Sequence, residues 1–366
     1  MNLRASTLRS ATIVLTLASS AFAQANPAQP NPPQSDSATF DPDGAAHITR
    51  VIPMPSTISP DAQKWLQSLH QEKVAPANSL EEFRDRTEAS RKTAAAKARS
   101  LYPVDVQETT IAGIRTDIIT PLVDGVKSVP SAPGTTHRVL INLHGGGFIA
   151  DSGSLVEGVP IANLSGIKVV TVYYRLAPEN PYPAAVEDVV AVYKELLKTY
   201  KPQNIGIYGT SAGAVLTTEV AVRLKQLGIP LPAALGIFSG LADYTRAGDS
   251  QQLFALYGLA GLTGPADADH LPNDLYVGKT DRKDPVLSPL FADLHGMPPS
   301  LLVTGTRDML LSDTTILHRA LLHAGNDAQL VVFEAMPHAF WHHFDFPETT
   351  EALKIMADFF DRKLAR

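Results

Sequence analysis

Alternation between short apolar runs and amphipathic helical patterns is the feature of this chain that most restricts its fold. Eight segments typical of strands begin near Val104 and recur at residues 114–120, 139–143, 169–173, 205–208, 234–238, 301–304 and 330–333. Several of these are continuously apolar, as expected for strands that are covered on both faces. Helical patterns lie between them. The order therefore predicts an α/β fold, with a mostly parallel eight-stranded sheet and helices on both of its faces.

Two segments do not follow this alternation. Residues 47–100 precede the first clear strand, and two helices are expected there, the second of them starting at Ser79. Ser79 followed by Glu82 forms the sequence pattern of a capping box. Residues 241–280 separate two strand segments and are longer than an ordinary loop in a compact domain. Together the two segments predict a helical cap on a catalytic domain that occupies residues 101–366.

The amino-terminal residues have the composition of a leader and a linker. Arg4 and Arg9 are followed by a short apolar stretch and then by Ala21-Phe22-Ala23, an A-x-A pattern. This is typical of a secretory signal peptide over residues 1–23, cleaved after Ala23, with an uncleaved membrane anchor as the alternative. Residues 24–46 are rich in Pro, Ala, Gln, Asn and Ser, which predicts a disordered linker. We therefore expect an exported protein, either periplasmic or secreted.

Composition excludes several classes of function. The chain has no cysteine, so it has no disulfide, no thiolate metal site and no cysteine nucleophile. Its formal net charge is −6 and no basic patch stands out, so a nucleic-acid partner is not expected. No apolar run in the sequence is long enough to span a bilayer stably.

The strongest chemical motif is a G-x-S-x-G sequence, Gly209-Thr210-Ser211-Ala212-Gly213, which occurs once in the chain. It lies between a predicted strand and a predicted helix. A sharp turn in that context exposes the serine hydroxyl, and flanking glycines avoid collisions with neighbouring backbone. The helix amino terminus behind the serine favours developing negative charge. We therefore predict Ser211 as a nucleophile.

A glycine-rich sequence follows the strand predicted over residues 139–143. In His144-Gly145-Gly146-Gly147-Phe148, the glycines allow backbone N–H groups to point toward a ligand. Acyl transfer needs such donors because its tetrahedral intermediate carries an oxyanion. The N–H groups of Gly145, Gly146 and Ala212 are the candidates, and His144 is expected to hold the loop.

A serine nucleophile needs a general base and an acid that orients the base. Asp308 follows a late strand and is the predicted acid, whereas the competing Asp313 is better explained as the N-cap of the next helix. His338 follows the last strand and is the predicted base. His342 and His343 remain alternatives by spacing, although they are more typical of helix or surface residues. The order serine, aspartate, histidine is that of the α/β-hydrolases.

These motifs together resemble the bacterial hormone-sensitive-lipase-like carboxylesterases, also called family IV lipolytic enzymes. The further sequences that carry the resemblance are Tyr174-Arg175-Leu176-Ala177-Pro178-Glu179, Tyr182-Pro183-Ala184-Ala185-Val186-Glu187-Asp188, Asp284-Pro285 with Ser288-Pro289, and His338 with Phe340. The order matches from about residue 137 onward. Thr210 replaces the Asp often found before the serine, as in a known subgroup, and Ala339 stands where Gly is common. The resemblance implies an α/β-hydrolase core and a cap built partly from amino-terminal residues.

The predicted activity is hydrolysis of short-to-medium acyl esters through an acyl-enzyme on Ser211, with no cofactor and no metal. Lactones, amides or sugar acetates remain alternative substrates for the same three residues. A non-catalytic small-molecule binding protein is the alternative of a different class, because the family has relatives that lack a catalytic residue. The partner expected is a small-molecule ester, and a homodimer is left open.

Overall fold

The structure, a computed structural model, describes residues 36–69, 77–123, 126–127, 138–260 and 274–365. The strands are β1 (Ser37–Phe40), β2 (Ala46–Thr49), β3 (Val104–Ile111), β4 (Ile114–Val123), β5 (Val126–Lys127), β6 (Val139–Leu143), β7 (Lys168–Val172), β8 (Ile205–Thr210), β9 (Ala234–Phe238), β10 (Ser300–Gly305) and β11 (Ala328–Phe333). The helices are α1 (Pro60–Leu69), α2 (Leu80–Leu101), α3 (Ser154–Ser165), α4 (Ala184–Leu196), α5 (Ala212–Gln226), α6 (Asp249–Leu253), α7 (Asp274–Val277), α8 (Leu311–His323) and α9 (Pro347–Lys363).

The main sheet has the strand order β11-β10-β9-β8-β6-β7-β4-β3, and β5 pairs with β4 beside it. The strands from β11 to β7 are parallel to their neighbours, whereas β4 is antiparallel to β7 and β3 is antiparallel to β4. All eight predicted strand segments belong to this sheet. The predicted mostly parallel eight-stranded α/β fold is confirmed, with strand ends displaced by at most three residues.

Both faces of the sheet are covered, as the continuously apolar strands require. On one face, Ile141 and Ile207 join a buried cluster with side chains of α4 and α5. On the opposite face, α9 packs so closely that a Cβ on Gly206 would lie 3.0 Å from the ring of Phe360. Burying a side chain of the size of Ile or Phe contributes about 1.5–3 kcal/mol. The central strands are therefore buried by helices on both faces of the sheet.

The two helices expected before the sheet are present as α1 and α2. The Ser79 hydroxyl accepts a hydrogen bond from the Glu82 N–H (3.1 Å), which is half of the predicted capping box. The Glu82 carboxylate returns to the N–H of Asn78 (2.8 Å). Residues 55–366 form one compact unit that includes both helices. No helix of the described ranges is long and apolar enough to cross a membrane.

The predicted disordered linker is wrong over its last residues, because β1 and β2 pair as an antiparallel hairpin. The turn Asp41-Pro42-Asp43-Gly44 joins them, with Gly44 at a φ of 92°. A Pro-Asp-Gly sequence is a recognised turn signal. Both strands are exposed throughout, so apart from this turn they carry no apolar pattern that would predict a hairpin. It belongs to a separate unit, of which the structure describes residues 36–54. The predicted signal peptide lies outside the described residues.

Candidate active site

The predicted nucleophile occupies a strained turn. β8 ends at Thr210 and α5 begins at Ala212, so Ser211 alone joins the strand to the helix. Its backbone has a φ of 58° and a ψ of −121°, a conformation that costs a non-glycine residue on the order of 1–3 kcal/mol. The Ser211 N–H donates a hydrogen bond to the Phe238 carbonyl at the end of β9 (2.9 Å). The serine therefore lies at the carboxyl end of the parallel strands and at the amino end of α5.

The two glycines of the motif are required by close backbone packing. A Cβ on Gly209 would lie 2.3 Å from the carbonyl oxygen of Leu143, and a Cβ on Gly213 would lie 1.8 Å from the same oxygen. Backbone atoms cannot move aside as the end of a flexible side chain can. The glycine spacing thus follows from the way in which the end of β6 packs against the turn.

The predicted acid and base are brought together. Asp308 follows β10, His338 follows β11, and the Nδ1 atom of His338 lies 2.9 Å from Oδ1 of Asp308. Asp308 is fully buried and His338 is 7% exposed. With Nδ1 donating to the carboxylate, Nε2 of the imidazole is left as the proton acceptor. This is the relation that a general base and its orienting acid need.

The sequence did not identify three further hydrogen-bond partners of Asp308: Ser239, Thr304 and Leu310. Oδ2 of the carboxylate accepts hydrogen bonds from the hydroxyls of Ser239 and Thr304, the latter at 2.8 Å. Oδ1 also accepts from the N–H of Leu310 (2.9 Å). Ser239 directly follows β9, and the sheet order places that strand beside β10. The sequence signal that could have identified Ser239 is a small polar residue directly after β9, the strand that pairs with β10, which precedes Asp308.

These hydrogen bonds decide the charge of the acid. Burial by itself raises the pKa of Asp308, but the neighbouring His338 and the hydrogen bonds from His338, Ser239 and Leu310 outweigh it and hold the pKa below its ordinary value. A carboxylate that accepts several hydrogen bonds in its ionised form is the expected case. Asp308 is therefore negatively charged at neutral pH.

The glycine-rich loop after β6 lies beside the serine. A Cβ on Gly145 would lie 3.3 Å from Cβ of Ser211. Gly146 has a φ of 114°, and a Cβ there would lie 2.1 Å from the carbonyl oxygen of Ala150. Within the described part of the chain, neither the Gly145 nor the Gly146 N–H donates a hydrogen bond to protein. Ala212 opens α5, where N–H groups have no acceptor within the helix.

His144 and Asp151 hold this loop in shape. The ring of His144 is 1% exposed and stacks on Tyr174, with the ring centroids 4.2 Å apart. Oδ1 of Asp151 accepts from the N–H groups of Gly153 (3.1 Å) and Ser154 (3.0 Å), which closes the loop onto the start of α3. Burial raises the pKa of Asp151, but His144 and Arg91 lower it below its usual value. His144 is therefore a structural residue, as its place in the sequence suggested.

Two arginines of helix α2 bind the segment that follows the glycine-rich loop. Arg84 donates to the carbonyl oxygens of Ile149 (2.7 Å) and Ala177 (2.8 Å) and forms a two-pronged ion pair with Glu179. Arg91, seven residues further along the helix, lies 3.3 Å from the carboxylate of Asp151. The segment after the predicted strand at 169–173 is thus joined to α2 as well as to the sheet.

The competing acid and bases lie elsewhere. The prediction that Asp313 is an N-cap is wrong, because α8 begins at Leu311 and places Asp313 inside its first turn. His342 is not a surface residue: its side chain is 15% exposed and lies 3.3 Å from Glu157. His343 packs against Trp65 of α1, with ring centroids 4.6 Å apart, and burial lowers its pKa to about 4. The three histidines therefore face three different partners, and only His338 faces Asp308.

The two departures from the family pattern have local explanations. Oγ1 of Thr210 accepts a hydrogen bond from the indole N–H of Trp341 (3.1 Å), so this position is satisfied by a neutral donor. Ala339 adopts the left-handed conformation, with a φ of 53°. Glycine adopts that conformation at no steric cost, which accounts for its frequency there in related chains.

Comparison with known proteins identifies the family of this fold. Residues 140–342 match the family model for the alpha/beta hydrolase fold. An acetyl-hydrolase from Streptomyces hygroscopicus is 34% identical over 61% of this chain and 75% of its own length. An esterase from Acinetobacter venetianus is 30% identical over 70% of this chain and 82% of its own length.

Solved structures of esterases are similar to this protein over more of the chain. The crystal structure of esterase E25 superposes with a TM-score of 0.73 at 31% identity, covering 87% of this chain and 98% of that one. An esterase from the bacterial hormone-sensitive lipase family superposes with a TM-score of 0.70 at 29% identity, covering 84% of this chain and 99% of that one. The chain belongs to the α/β-hydrolase fold family and, within it, to the hormone-sensitive-lipase-like carboxylesterases.

Proposed function

We propose that Ser211, Asp308 and His338 carry out the carboxylester hydrolysis of this family on short-to-medium acyl esters. Oγ of Ser211 attacks the ester carbonyl while Nε2 of His338 takes its proton. Asp308 orients the imidazole and stabilises its charged form. The imidazolium then protonates the leaving alcohol, and a water activated by His338 cleaves the acyl-enzyme.

The N–H groups of Gly145, Gly146 and Ala212 are proposed to bind the oxyanion of each tetrahedral intermediate. The positive φ of Gly146 and the missing Cβ of Gly145 support this assignment, because they bring the backbone of the loop close to the serine. Donors fixed in advance at the site of developing charge lower the barrier without reorganisation; one such donor contributes about 3–4 kcal/mol.

The observation that carries the proposal is the buried hydrogen bond between His338 and Asp308, at the same sheet edge as the strained Ser211 turn. A fluorophosphonate probe tests it directly. The probe should form one covalent adduct on wild-type protein, mapped by mass spectrometry to Ser211, and none on Ser211→Ala. The variant should lose roughly 10⁴–10⁶-fold in kcat while remaining folded. Labelling at another residue, or turnover by Ser211→Ala within tenfold of wild type, would contradict the assignment.

The acyl preference is supported by the segment after β9. A Cβ on Gly258 would lie 3.2 Å from Arg307 and 3.4 Å from Pro337, so this segment lies against both catalytic loops. Material in that position narrows the space for an acyl chain. Each methylene adds at most about 0.8 kcal/mol of burial until the pocket is full, and overfilling then costs energy. In a p-nitrophenyl ester series kcat/KM should rise over the first few carbons and then fall, and a maximum at about sixteen carbons or beyond would be inconsistent with such a site.

The leaving group and the cellular location are separate proposals. A panel of lactones, amides and sugar acetates, assayed beside the acyl esters, distinguishes the alternative substrates of the same three residues.

We also propose export with cleavage after Ala23, on the basis of the amino-terminal sequence pattern. Amino-terminal sequencing of the active protein checks it, and an intact Met1 would overturn it.

A further inference from the structure

A short turn directly follows the catalytic loop of His338. Ala339 adopts a left-handed conformation, and Phe340–His342 then form a single 3-10 turn. The side chains of Trp341 and His342 both point into the protein: Trp341 is 1% exposed, and the side chain of His342 is 15% exposed. Each of them meets a different part of the site. Neither is used in the chemical steps described above.

Trp341 connects the loop to the nucleophile turn. Its Nε1–H donates to Oγ1 of Thr210 (3.1 Å), and Thr210 directly precedes Ser211. Both residues are buried, so water does not compete for the bond. The indole is held by edge contacts with Phe340 and Phe238, with ring centroids 5.1 Å and 6.2 Å away. This bond crosses from the loop after β11 to the end of β8, past the two strands between them.

His342 connects the loop to the helix that follows the glycine-rich loop. Its Nε2 lies 3.3 Å from Oε1 of Glu157 on α3, an ion-pair distance whose angles fall short of a hydrogen bond. Neither atom has a hydrogen-bond partner in the part of the chain that the structure describes. The other oxygen of Glu157 accepts from Nδ2 of Asn142 (3.0 Å) on β6. Glu157 is 3% exposed, so its carboxylate faces this histidine rather than solvent.

Glu157 is also in close contact with the segment that joins the glycine-rich loop to α3. A Cβ on Gly153, the last residue of this segment, would lie 2.0 Å from Oε1 of Glu157. The same oxygen therefore lies between this segment and His342. The neighbouring Ser152 N–H donates to the carbonyl of Gly145 (3.2 Å), which connects the segment to a residue that carries a proposed oxyanion donor.

We propose that Trp341 and His342 are positioning residues that fix the His338 loop relative to Ser211 and to the glycine-rich loop. The proposal rests on the catalytic roles proposed above. A displacement of about 1 Å between reacting groups can cost on the order of 10²-fold in rate. The two contacts restrain the loop toward both of its catalytic partners, and His338 itself touches only Asp308 within the hydrogen bonds of the described residues.

The first test separates hydrogen bonding from packing at Thr210. Trp341→Phe keeps an aromatic ring without the N–H, and Thr210→Val keeps the shape without the acceptor. Each should lower kcat about tenfold with KM within twofold, and the double variant should be no worse than the poorer single variant. Thr210→Ser restores the hydroxyl and should recover most of the activity. Thr218→Val is the matched control, because Thr218 is buried on α5 and donates only within its helix, to Ala214.

The second test concerns the histidine. His342→Gln keeps an N–H near the position of Nε2 and should remain within threefold of wild-type kcat, whereas His342→Leu should fall about five- to tenfold. The rate of fluorophosphonate inactivation should fall in parallel in the impaired variants, because it reports Ser211 activated by His338. Glu157→Gln, which keeps the shape of the partner, should resemble His342→Gln.

Three results would overturn the inference: unchanged kcat in Trp341→Phe and His342→Leu, additive losses in the Trp341–Thr210 cycle, or an equal loss in Thr218→Val. Failure of the proposed function is distinguishable from these. It would appear as turnover by Ser211→Ala or as absence of a Ser211 adduct in wild-type protein, and it would overturn both proposals together.

Discussion

Ser239 donates a hydrogen bond to the carboxylate of Asp308 from the end of the neighbouring strand. The two residues are 69 positions apart in the chain, and the order of β9 and β10 in the sheet brings them together. Thr304 donates to the same oxygen. The orienting acid is therefore itself held in orientation by two hydroxyl groups from β10 and from the end of β9.

Removing the Ser239 hydroxyl should weaken catalysis without abolishing it. Ser239→Ala is expected to lower kcat about tenfold, because a hydrogen bond to a charged group contributes roughly 1.5–3 kcal/mol and three other donors, Thr304, Leu310 and His338, remain on Asp308. The pKa of Asp308 should rise, so activity should fall off at a higher pH on the acid side than in wild type. Ser300→Ala is the control, since that buried hydroxyl bonds the Pro298 carbonyl at the opposite end of β10. Equal losses in the two variants would contradict a specific role for Ser239.

The two candidate acids should respond differently to the same substitution. Asp308→Asn replaces a hydrogen-bond acceptor of His338 by a group that favours the wrong tautomer, and kcat should fall by about 10⁴-fold. Asp313→Asn should remain within threefold of wild type, because Oδ2 of Asp313 has no hydrogen-bond partner within the described ranges. Comparing kcat/KM for the two variants decides the assignment, and a reversed order would exchange their roles.

Asp313 should instead govern part of the pH dependence of stability. It is buried near Asp243 and Arg246, and burial, followed by the neighbouring carboxylates Asp243 and Asp308, raises its pKa to about 7 from 3.8. Between these values the folded protein keeps a proton that the unfolded chain has lost. The stability this residue contributes is therefore complete below pH 3.8 and is lost as the pH rises to about 7.

Replacing Asp313 by Asn should remove this loss. The free energy of unfolding of Asp313→Asn, relative to wild type, should increase by about 2 kcal/mol between pH ~5 and pH ~8. Urea titrations at the two pH values measure it. Asp249→Asn, an exposed carboxylate in the first turn of α6, is the control and should show little change. A pH-independent difference for Asp313→Asn would show that the residue is ionised equally in both states.

The shape of the glycine-rich loop should be intolerant of a single methyl group. Gly146→Ala is expected to lower kcat at least 10²-fold, because its Cβ would lie 2.1 Å from the Ala150 carbonyl oxygen and the loop would have to move. Gly166→Ala is the matched control. Gly166 also has a positive φ, 66°, but nothing lies within 4 Å of a Cβ there, so only the backbone strain of about 1 kcal/mol remains. Similar activities in the two variants would rule out a role for the loop in binding the oxyanion.

Much of the fold could be predicted because strands covered on both faces leave a continuous apolar signature. β10, for example, was expected over residues 301–304 and runs from Ser300 to Gly305. The residues of the site that sequence could identify carry chemistry in motifs: Ser211 in its turn, and Asp308 and His338 after late strands. That all three lie at one end of the sheet could be expected without any distance, because the carboxyl ends of parallel strands meet there.

The residues that sequence missed depend on contacts between distant segments. His342 was interpreted as a helix or surface residue; it lies in a 3-10 turn, but its side chain is largely buried beside Glu157, which is far away in the chain. Asp313 resembled an N-cap because a polar residue preceded a helical pattern. The apolar residues Leu310 and Leu311 in fact begin the helix earlier, without a side-chain cap. Local propensity is a weak guide where tertiary packing decides the helix start.

The strained turn at Ser211 creates a trade-off between thermal stability and catalytic activity at one residue. Ser211→Gly would relieve the backbone strain, because glycine adopts this conformation readily, but it would also remove the nucleophile. The variant with the less strained turn would therefore be inactive. Selection for thermal stability alone would therefore favour the inactive Ser211→Gly variant. A laboratory that evolves this enzyme for hot processes therefore has to screen turnover in every round, and must look for added stability far from the carboxyl edge of the sheet.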